Sequence, residues 1–210
     1  MNPRYRVNRA GAQHLERIAG LISEAFVPLA VSQWLVPHSS DPRRWLRANF
    51  ALHLAQALDH GHIDIIGDIA AAAVWVHYED GRPIPAPPDY DSRLTQACGP
   101  HAPRFRQLDD AFDRRHPRGH PHHHLAFLAV EPKWQGRSLG TALLEHHHRH
   151  LDQHQLGAYL EASSVNSMRL YRRTGYEERS PAIDLPDNGP SLWPMWRDHQ
   201  RSRDRRGYRR

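Results

Sequence analysis

The feature that most constrains this chain is a junction between an apolar run, a polar turn and a helix. Residues 124–130 form a nearly continuous apolar run, which is typical of a strand buried on both faces. The turn that follows contains Gly136 and Gly140, and a helix with leucines on one face is predicted from about Thr141. Such a junction points several backbone N–H groups at one place, where the helix dipole also favours an anion.

We therefore expect the main chain of about Gln135 to Thr141 to form a cradle for a phosphate or pyrophosphate, since glycine allows close approach of the backbone. Many turns of this kind bind nothing, so the junction alone leaves a purely structural role open. A P-loop is excluded because no Gly-Lys-Ser/Thr triplet follows, and the dinucleotide spacing Gly-x-Gly-x-x-Gly is also absent. Strands and helices do not alternate from the start of the chain, which disfavours a doubly wound fold.

Capping residues and apolar spacing predict two long helices before this junction. Apolar residues at helical spacing within 15–26 indicate the first of them. Asp41 followed by Pro42 marks the start of the second, with the aspartate as N-cap and the proline in the first turn. This second helix is expected to end near His60 and Gly61, a plausible C-cap.

A hairpin and a long loop are predicted next. Gly67-Asp68 separates two runs, 62–66 and 69–78, and indicates the hairpin turn. Residues 79–103 contain six prolines and are expected to form a long loop. The other predicted elements are a strand at 4–9, a short helix at 104–115, a strand at 158–162, a short helix at 166–173, a strand after Gly175 and an edge strand at 191–196.

Two segments resemble conserved blocks of the GNAT superfamily of acyl-CoA N-acyltransferases. Residues 130–144 read VEPKWQGRSLGTALL and are similar to motif A, whose turn holds the pyrophosphate of coenzyme A. Residues 160–176 read LEASSVNSMRLYRRTGY and are similar to the second conserved block. Ser138 stands where the family usually has a glycine, and serine disfavours positive φ.

The resemblance implies an α/β (α+β) GNAT fold, with a mixed, mostly antiparallel, splayed sheet flanked by helices. It implies one acyltransferase domain over residues 1–196, in which 79–123 form an insertion on the acceptor side. Residues 197–210 are then expected to be a basic, disordered tail. The layout is loosely similar to that of the puromycin-type small-molecule N-acetyltransferases.

The resemblance also implies roles for individual residues. Tyr171 is expected to act as a general acid that protonates the departing thiolate of coenzyme A, the alternative being a residue that only packs on the sheet. Asn166 is expected to bind pantetheine through its side-chain amide, to cap its helix, or both. The strand and the turn are expected to bind the rest of coenzyme A, mainly through the backbone of Leu128, Ala129, Val130, Gln135, Gly136, Arg137, Ser138, Leu139, Gly140 and Thr141.

The base that deprotonates the acceptor amine has two candidates. His124 at the start of the strand is one, because imidazole groups titrate closest to neutral pH. Glu161 is the other, since carboxylates also serve as general bases. The alternatives are an ordinary strand-end histidine and an acceptor-binding or structural carboxylate.

Charge and cysteine content narrow the expected partners and location. The chain carries a net charge of +5, and the seven arginines and two aspartates of residues 197–210 account for all of it. A solvated tail is therefore favoured over a nucleic-acid-binding segment. The sequence has no apolar run long enough to cross a membrane, so no membrane partner is expected. The single cysteine, Cys98, indicates a reducing, cytoplasmic location. A monomer and a homodimer both fit.

Eighteen histidines raise the question of a metal. His146, His150 and His154 are spaced four apart on one predicted helix, which could chelate zinc or nickel. No His-Glu-x-x-His motif and no cysteine pair support such a site. Solvated surface histidines are the favoured interpretation, and no metal ligand is expected.

The sequence therefore predicts an enzyme that uses acetyl-CoA, or another short acyl-CoA, as acyl donor. The acyl group would pass by direct attack to a primary amine of a small molecule such as an antibiotic or a metabolite. Three alternatives stay open: a protein lysine or N-terminal acetyltransferase, a non-catalytic module that binds an acyl-CoA or nucleic acid, and a histidine-based metalloprotein.

Overall fold

The computed structural model describes residues 5–200 of the chain. The first part contains β1 Val7–Arg9, α1 Leu15–Phe26, α2 Ala30–Leu35, α3 Pro42–His60, β2 Gly61–Ile66, β3 Ala71–Tyr78, α4 Tyr90–Cys98 and α5 Ala102–Arg115. The second part contains β4 His122–Val130, α6 Leu139–His154, β5 Gly157–Ala162, α7 Val165–Arg173, β6 Glu177–Glu178, β7 Ile183–Asp184 and β8 Ser191–Arg197. Short 3-10 turns occupy residues 12–14, 99–101 and 132–134.

The strands form one open, mixed and mostly antiparallel sheet. Its order is β1-β2-β3-β4-β5-β8-β6, and β7 also pairs with β8. Every pair of neighbouring strands is antiparallel except β4 and β5. The predicted α/β class with a flanked, mostly antiparallel sheet is confirmed.

Helices cover both faces of the sheet. On one face, α1 and α3 to α5 bury a core around fully buried side chains such as Ile18, Leu46 and Leu94. On the other face, α6 packs over β2, β3 and β4 and α7 packs over β5, with Leu143 and Leu144 0% exposed. Burial of one such leucine contributes about 2 kcal/mol, so the two layers hold the sheet and the helices together.

The local helix signals are confirmed. Helix α1 has Ile18 and Ile22 at 0% exposure on the face predicted to be apolar. The Asp41 side chain accepts a hydrogen bond from the Arg44 N–H at 3.1 Å, and Pro42 occupies the first turn of α3. The helix ends at His60, but Gly61 is already extended and begins β2.

The prediction of one long loop over 79–103 is wrong, because α4 lies inside it. Leu94 and Cys98 are four residues apart and both 0% exposed, so one face of α4 packs into the core. The prolines stand before and after the helix, not within it, so they mark its limits without breaking it.

Two strand predictions also need correction. The hairpin loop covers residues 67–70 and is closed by the Ala70 N–H donating to the Ile66 carbonyl at 2.9 Å, so β3 begins at Ala71. Strand β8 is an interior strand, since it pairs with β5 and with β6. Arg197, grouped with the tail on sequence, is the last residue of β8, and residues 201–210 lie outside the described part of the chain.

Candidate active site

A wedge-shaped opening separates β4 from β5. The two strands pair in parallel only at His122 with Gly157, His123 with Ala158 and His124 with Tyr159. Beyond His124, the edge of β4 that faces β5 has no ladder partner among residues 5–200. This is the splay that the resemblance to the superfamily implies.

A β-bulge accompanies the splay. Between Val74 and Trp75 the register of β3 with β4 shifts, so that Ala126 has no opposing residue. A bulge bends its strand, which turns the second half of β4 away from β5. His124, residues 126–128 and Val130 are only half-buried. The expectation of a strand buried on both faces over 124–130 therefore holds only for Leu125 and Ala129.

Two residues of the turn between β4 and α6 have positive φ. Gly136 has φ +72° and a Cβ there would meet nothing within 4 Å, so it is the backbone angle and not crowding that favours glycine. Ser138 has φ 65° and ψ 19°, in the left-handed region, directly before α6. The first amide of α6 with a helical partner is that of Ala142, which donates to the Ser138 carbonyl at 2.9 Å. The amides of residues 139–141 therefore have no partner inside the helix.

Two side chains fix this turn. The Tyr5 hydroxyl donates to the Arg137 carbonyl at 2.9 Å, and the Gln135 side-chain amide donates to the Val130 carbonyl at 3.1 Å. The Arg137 guanidinium stacks over the Trp134 ring at 4.9 Å. The turn is therefore held from β4 and from the segment before β1.

The opening contains a cavity of about 490 Å³. Ten of the fourteen residues selected from the sequence line it. Ala129, His124, Glu161 and Arg137 do not line it, and Arg137 is exposed in the turn. The ten are Leu128, Val130, Gln135, Gly136, Ser138, Leu139, Gly140, Thr141, Asn166 and Tyr171.

Tyr171 forms part of the cavity wall. Its side chain on α7 is 8% exposed, and burial raises the pKa of its hydroxyl above the usual value of a tyrosine. The phenol therefore stays protonated at neutral and moderately alkaline pH. A buried, protonated hydroxyl on a cavity wall can donate a proton to a thiolate formed beside it.

Helix α7 is capped by serines and not by Asn166. The Ser164 hydroxyl accepts from the Ser167 N–H at 3.1 Å, and the Ser167 hydroxyl accepts from the Ser164 N–H at the same distance. Asn166 is the second residue of the helix, exposed, and lines the cavity. The capping alternative for Asn166 is wrong because its position lies inside the helix, and its amide is available to the cavity.

The two candidate bases are bonded to each other. His124 Nε2 lies 2.8 Å from Glu161 Oε2, and their side chains are 14% and 4% exposed. They lie at the apex of the opening, because His124 is the last residue of β4 that pairs with β5. The other carboxylate oxygen, Glu161 Oε1, is buried without a hydrogen-bond partner among the described residues.

This pair faces the helical layer that contains α5. The His124 ring lies 5.1 Å from that of His116, which follows α5, and 5.5 Å from that of Tyr159. Two aspartates of α5 add negative charge to this side. Burial raises the pKa of Asp109 and of Asp113, and Glu161 contributes to the second shift. The Tyr90 hydroxyl donates to Asp109 at 2.7 Å.

Several lining residues were not found from the sequence. Trp134, 37% exposed, and Ser163 lie within the two conserved blocks, which gave no reason to select them. Phe26 and Leu29 come from α1 and the segment after it. Nothing in the local sequence of α1 places its end beside a turn more than 100 residues later, so tertiary packing alone reveals this contribution.

The histidines of α6 are not all solvated. His150 and His154 are exposed, as predicted, but His147 and His148 are 3% and 5% exposed. The His148 ring nitrogen Nε2 bonds the Tyr176 hydroxyl at 3.1 Å. The interpretation of the helix as a purely solvated histidine surface is therefore wrong, because α6 lies against the sheet along this side.

A family model for an acetyltransferase (GNAT) domain matches residues 104–178, which include β4, the turn, α6, β5 and α7. Over these residues the chain is similar to GNAT-type N-acetyltransferases. The match spans the opening and the whole of its turn, so it covers most of the residues that line the cavity.

Solved structures agree with the fold over nearly the whole chain. A histone acetyltransferase HPA2 and related acetyltransferase from Corynebacterium glutamicum is 26% identical, with a TM-score of 0.70 over 94% of this chain and 98% of that one. Arylalkylamine N-acetyltransferase 2 from Aedes aegypti is 14% identical, with a TM-score of 0.64 over 94% of this chain and 100% of that one.

The ribosomal-protein-S18-alanine N-acetyltransferase from Escherichia coli is 15% identical, with a TM-score of 0.50 over 97% of this chain and 99% of that one. The chain is thus similar in fold both to an enzyme named for small amines and to enzymes named for proteins. Among residues 5–200, it has no helix with the length and apolarity that crossing a bilayer requires.

Proposed function

We propose that this protein is an N-acetyltransferase of the GNAT type, which transfers an acetyl group from acetyl-CoA to the primary amine of a small, cationic molecule. The observation that carries the proposal is the cavity between β4 and β5, whose lining includes both residues 139–141 at the start of α6 and Tyr171 of α7. Acetyl-CoA would supply the acyl carbon and a thiolate leaving group.

The residues of the cavity fit coenzyme A in two ways. The amides of residues 139–141 at the start of α6 suit a pyrophosphate, because they lack helical partners and lie at the positive end of the helix dipole. The unpaired edge of β4 suits the amides of a pantetheine arm, which can add to a sheet edge as a strand does. Asn166 lies on the same cavity and can bond that arm through its side chain.

The proton transfers are assigned to a bonded pair at the apex of the opening between β4 and β5 and to Tyr171 on the cavity wall. The acceptor amine must be neutral when its nitrogen attacks the thioester carbon and the carbon–sulfur bond breaks. We assign removal of the amine proton to the bonded pair His124 and Glu161, at the apex of the opening. We assign the protonation of the departing sulfur to Tyr171. Solvent then restores the proton of Tyr171 and receives the one taken from the amine.

A cationic small-molecule acceptor is favoured by the charge on the α5 side. Asp109, Asp113 and Glu161 concentrate carboxylates there, and negative charge attracts an ammonium group before it loses its proton. We therefore propose that the segment 79–123, which supplies two of these carboxylates, forms the acceptor side. A protein lysine or N-terminus is the second candidate, because a neighbouring structure is named as a histone acetyltransferase.

A thiol-release assay with acetyl-CoA separates these possibilities. The panel contains alkyl and aryl amines, polyamines, aminonucleosides, aminoglycosides and histone-tail peptides. Turnover with small diamines or aromatic amines, and little with peptides, supports the proposal. Turnover with peptides alone would establish the second candidate. Binding of coenzyme A by calorimetry without turnover of any amine would indicate a non-catalytic module.

A further inference from the structure

A buried cluster of imidazoles lies between the sheet and the second half of α6. The histidine cluster, as we call it, comprises His62 and Asp64 of β2, His77 of β3, His123 of β4 and His147 of α6. None of these residues lines the cavity described above. The cluster is therefore separate from the candidate active site, although it packs against the same helix.

The cluster is organised by hydrogen bonds between rings. His62 Nδ1 lies 2.7 Å from His77 Nε2, and His123 Nδ1 lies 2.8 Å from His147 Nε2. The rings of His77 and His123 stack at 3.8 Å and link the two pairs. Each inner ring, His62 and His147, thus has one nitrogen held by another histidine.

Two buried polar atoms of the cluster have no hydrogen-bond partner among the described residues. They are His62 Nε2 and Asp64 Oδ2, and they lie 3.4 Å apart. Buried polar atoms normally find partners, because leaving them unpaired is unfavourable. His62 is 8% exposed and Asp64 1%, so bulk water does not satisfy these atoms.

The separation of the two atoms fits the coordination of one metal ion. Bonds of about 2.0–2.1 Å at tetrahedral angles place two ligands of zinc about 3.3 Å apart. A ring nitrogen of His147, which is 3% exposed, completes a set in which all three ligand atoms lie within 4.8 Å of one another. Two imidazoles and a carboxylate are a donor set that zinc commonly takes in proteins.

We propose that His62, Asp64 and His147 bind a divalent transition-metal ion, with zinc as the favoured metal, which connects β2 to α6. The ring bonds to His77 and His123 then hold the ligating imidazoles in orientation, as second partners of metal-bound histidines do. Arg9 contacts the other oxygen of Asp64 at 3.2 Å and fixes the carboxylate, although its positive charge opposes the ion.

The site differs from the one that the histidine spacing of α6 suggests. His62 and Asp64 are two residues apart on a strand, so they project from the same face of the sheet. The third ligand, His147, comes from a helix more than 80 residues later. Only the packing of α6 on β2 brings the three together.

The test uses full-length protein purified without a metal column and stripped of metal by a chelator. Zinc chloride is then titrated by calorimetry, and retained zinc is measured by elemental analysis after dialysis. We expect one tightly held zinc per chain and a rise in Tm of about 5–10 °C at zinc one hundredfold above Kd. Cobalt(II) as a second probe should give the visible absorption of a four-coordinate site.

Matched variants separate this site from the exposed histidines. Asp64→Asn and His147→Gln should each weaken zinc binding by at least about 100-fold and remove the cobalt bands. Arg9→Gln, which breaks the ion pair without removing a ligand, and His154→Gln on the exposed surface should retain both. Circular dichroism checks that each variant is folded.

Three results would overturn the proposal. One is a wild type that retains no zinc after dialysis. Another is binding that is lost in His154→Gln. The third is binding that survives unchanged in a folded Asp64→Asn or His147→Gln protein. If both ligand variants fail to fold, the cobalt spectrum of the wild type decides alone, since octahedral or absent bands contradict the site.

Discussion

Replacing Tyr171 by phenylalanine removes one oxygen atom and tests the assigned general acid. Burial raises the pKa of this hydroxyl, and no side-chain hydrogen bond between residues 5–200 that the structure shows would be lost with it. We expect the free energy of unfolding to change by less than about 1 kcal/mol. Loss of a general acid lowers kcat by about 10²–10⁴-fold, which corresponds to a barrier about 3–5 kcal/mol higher.

The structure provides a matched control in Tyr176→Phe. The Tyr176 ring lies 5.7 Å from that of Tyr171, and its hydroxyl is bonded to His148 Nε2 at 3.1 Å. Loss of that bond should reduce the free energy of unfolding by about 1 kcal/mol. Because Tyr176 does not line the cavity, kcat should stay within about twofold. Tyr171→Phe is therefore expected to lower kcat and not the free energy of unfolding, whereas Tyr176→Phe is expected to do the reverse.

The assay measures thiol release with saturating acetyl-CoA and the best amine of the panel, together with the Kd for coenzyme A by calorimetry. Tyr171→Phe should leave this Kd within about threefold while kcat falls. A further check is the pH profile, because burial raises the pKa of Tyr171 and its proton should remain in place well into the alkaline range. A phenylalanine variant with kcat within threefold of the wild type would refute the assignment.

Three further outcomes test the turn, a buried histidine and an ion pair. Ser138 holds φ 65°, so Ser138→Gly should raise the free energy of unfolding by up to about 1 kcal/mol and Ser138→Val should lower it by about 1–2 kcal/mol, both measured by urea unfolding. Burial lowers the pKa of His116 to about 2; as pH falls below 6.5 the unfolded chain binds a proton that the folded chain does not. This histidine should therefore lower the free energy of unfolding by about 2 kcal/mol between pH 7 and pH 5, and His116→Gln should reduce that loss in the same assay. A variant whose free energy of unfolding depends on pH as steeply as that of the wild type contradicts the argument. Asp152 accepts hydrogen bonds from both terminal nitrogens of Arg197 at 2.9 Å, and Arg197 is 3% exposed. Asp152→Ala should therefore lower the free energy of unfolding by about 3 kcal/mol, measured by thermal or urea unfolding. A decrease below about 1 kcal/mol would show that the arginine finds another partner.

The parts of the fold that could be predicted are those with local signals. Helix α3 begins at a capping aspartate followed by proline, and α1 follows the spacing of its apolar residues. The junction of β4 with α6 could be found because glycine and apolar periodicity mark its three parts within about 30 residues. The turn was selected for the same reason, whereas Tyr171 was selected because its block resembles the second conserved block of the GNAT superfamily.

The features that escaped prediction depend on contacts distant in the sequence. Helix α4 was missed because prolines on either side suggested a loop, and only Leu94 and Cys98 reveal its buried face. His124 and Glu161 were considered as separate bases, whereas the parallel pairing of β4 with β5 brings them within 2.8 Å. Ser138 shows the limit of a propensity: its left-handed conformation is unfavourable by itself, but the surrounding turn imposes it.

The short pairing of β4 with β5 has a mechanical consequence. Only three residue pairs connect the half-sheet β1–β4 with the half-sheet that contains β5, β8 and β6. So few backbone bonds offer little resistance to bending, and the angle between the half-sheets is therefore set by the helices packed on them. A molecule that binds along the unpaired edge of β4 stiffens this joint, because its hydrogen bonds replace those that the two strands do not make. Its binding should slow the hydrogen exchange of amides 125–130.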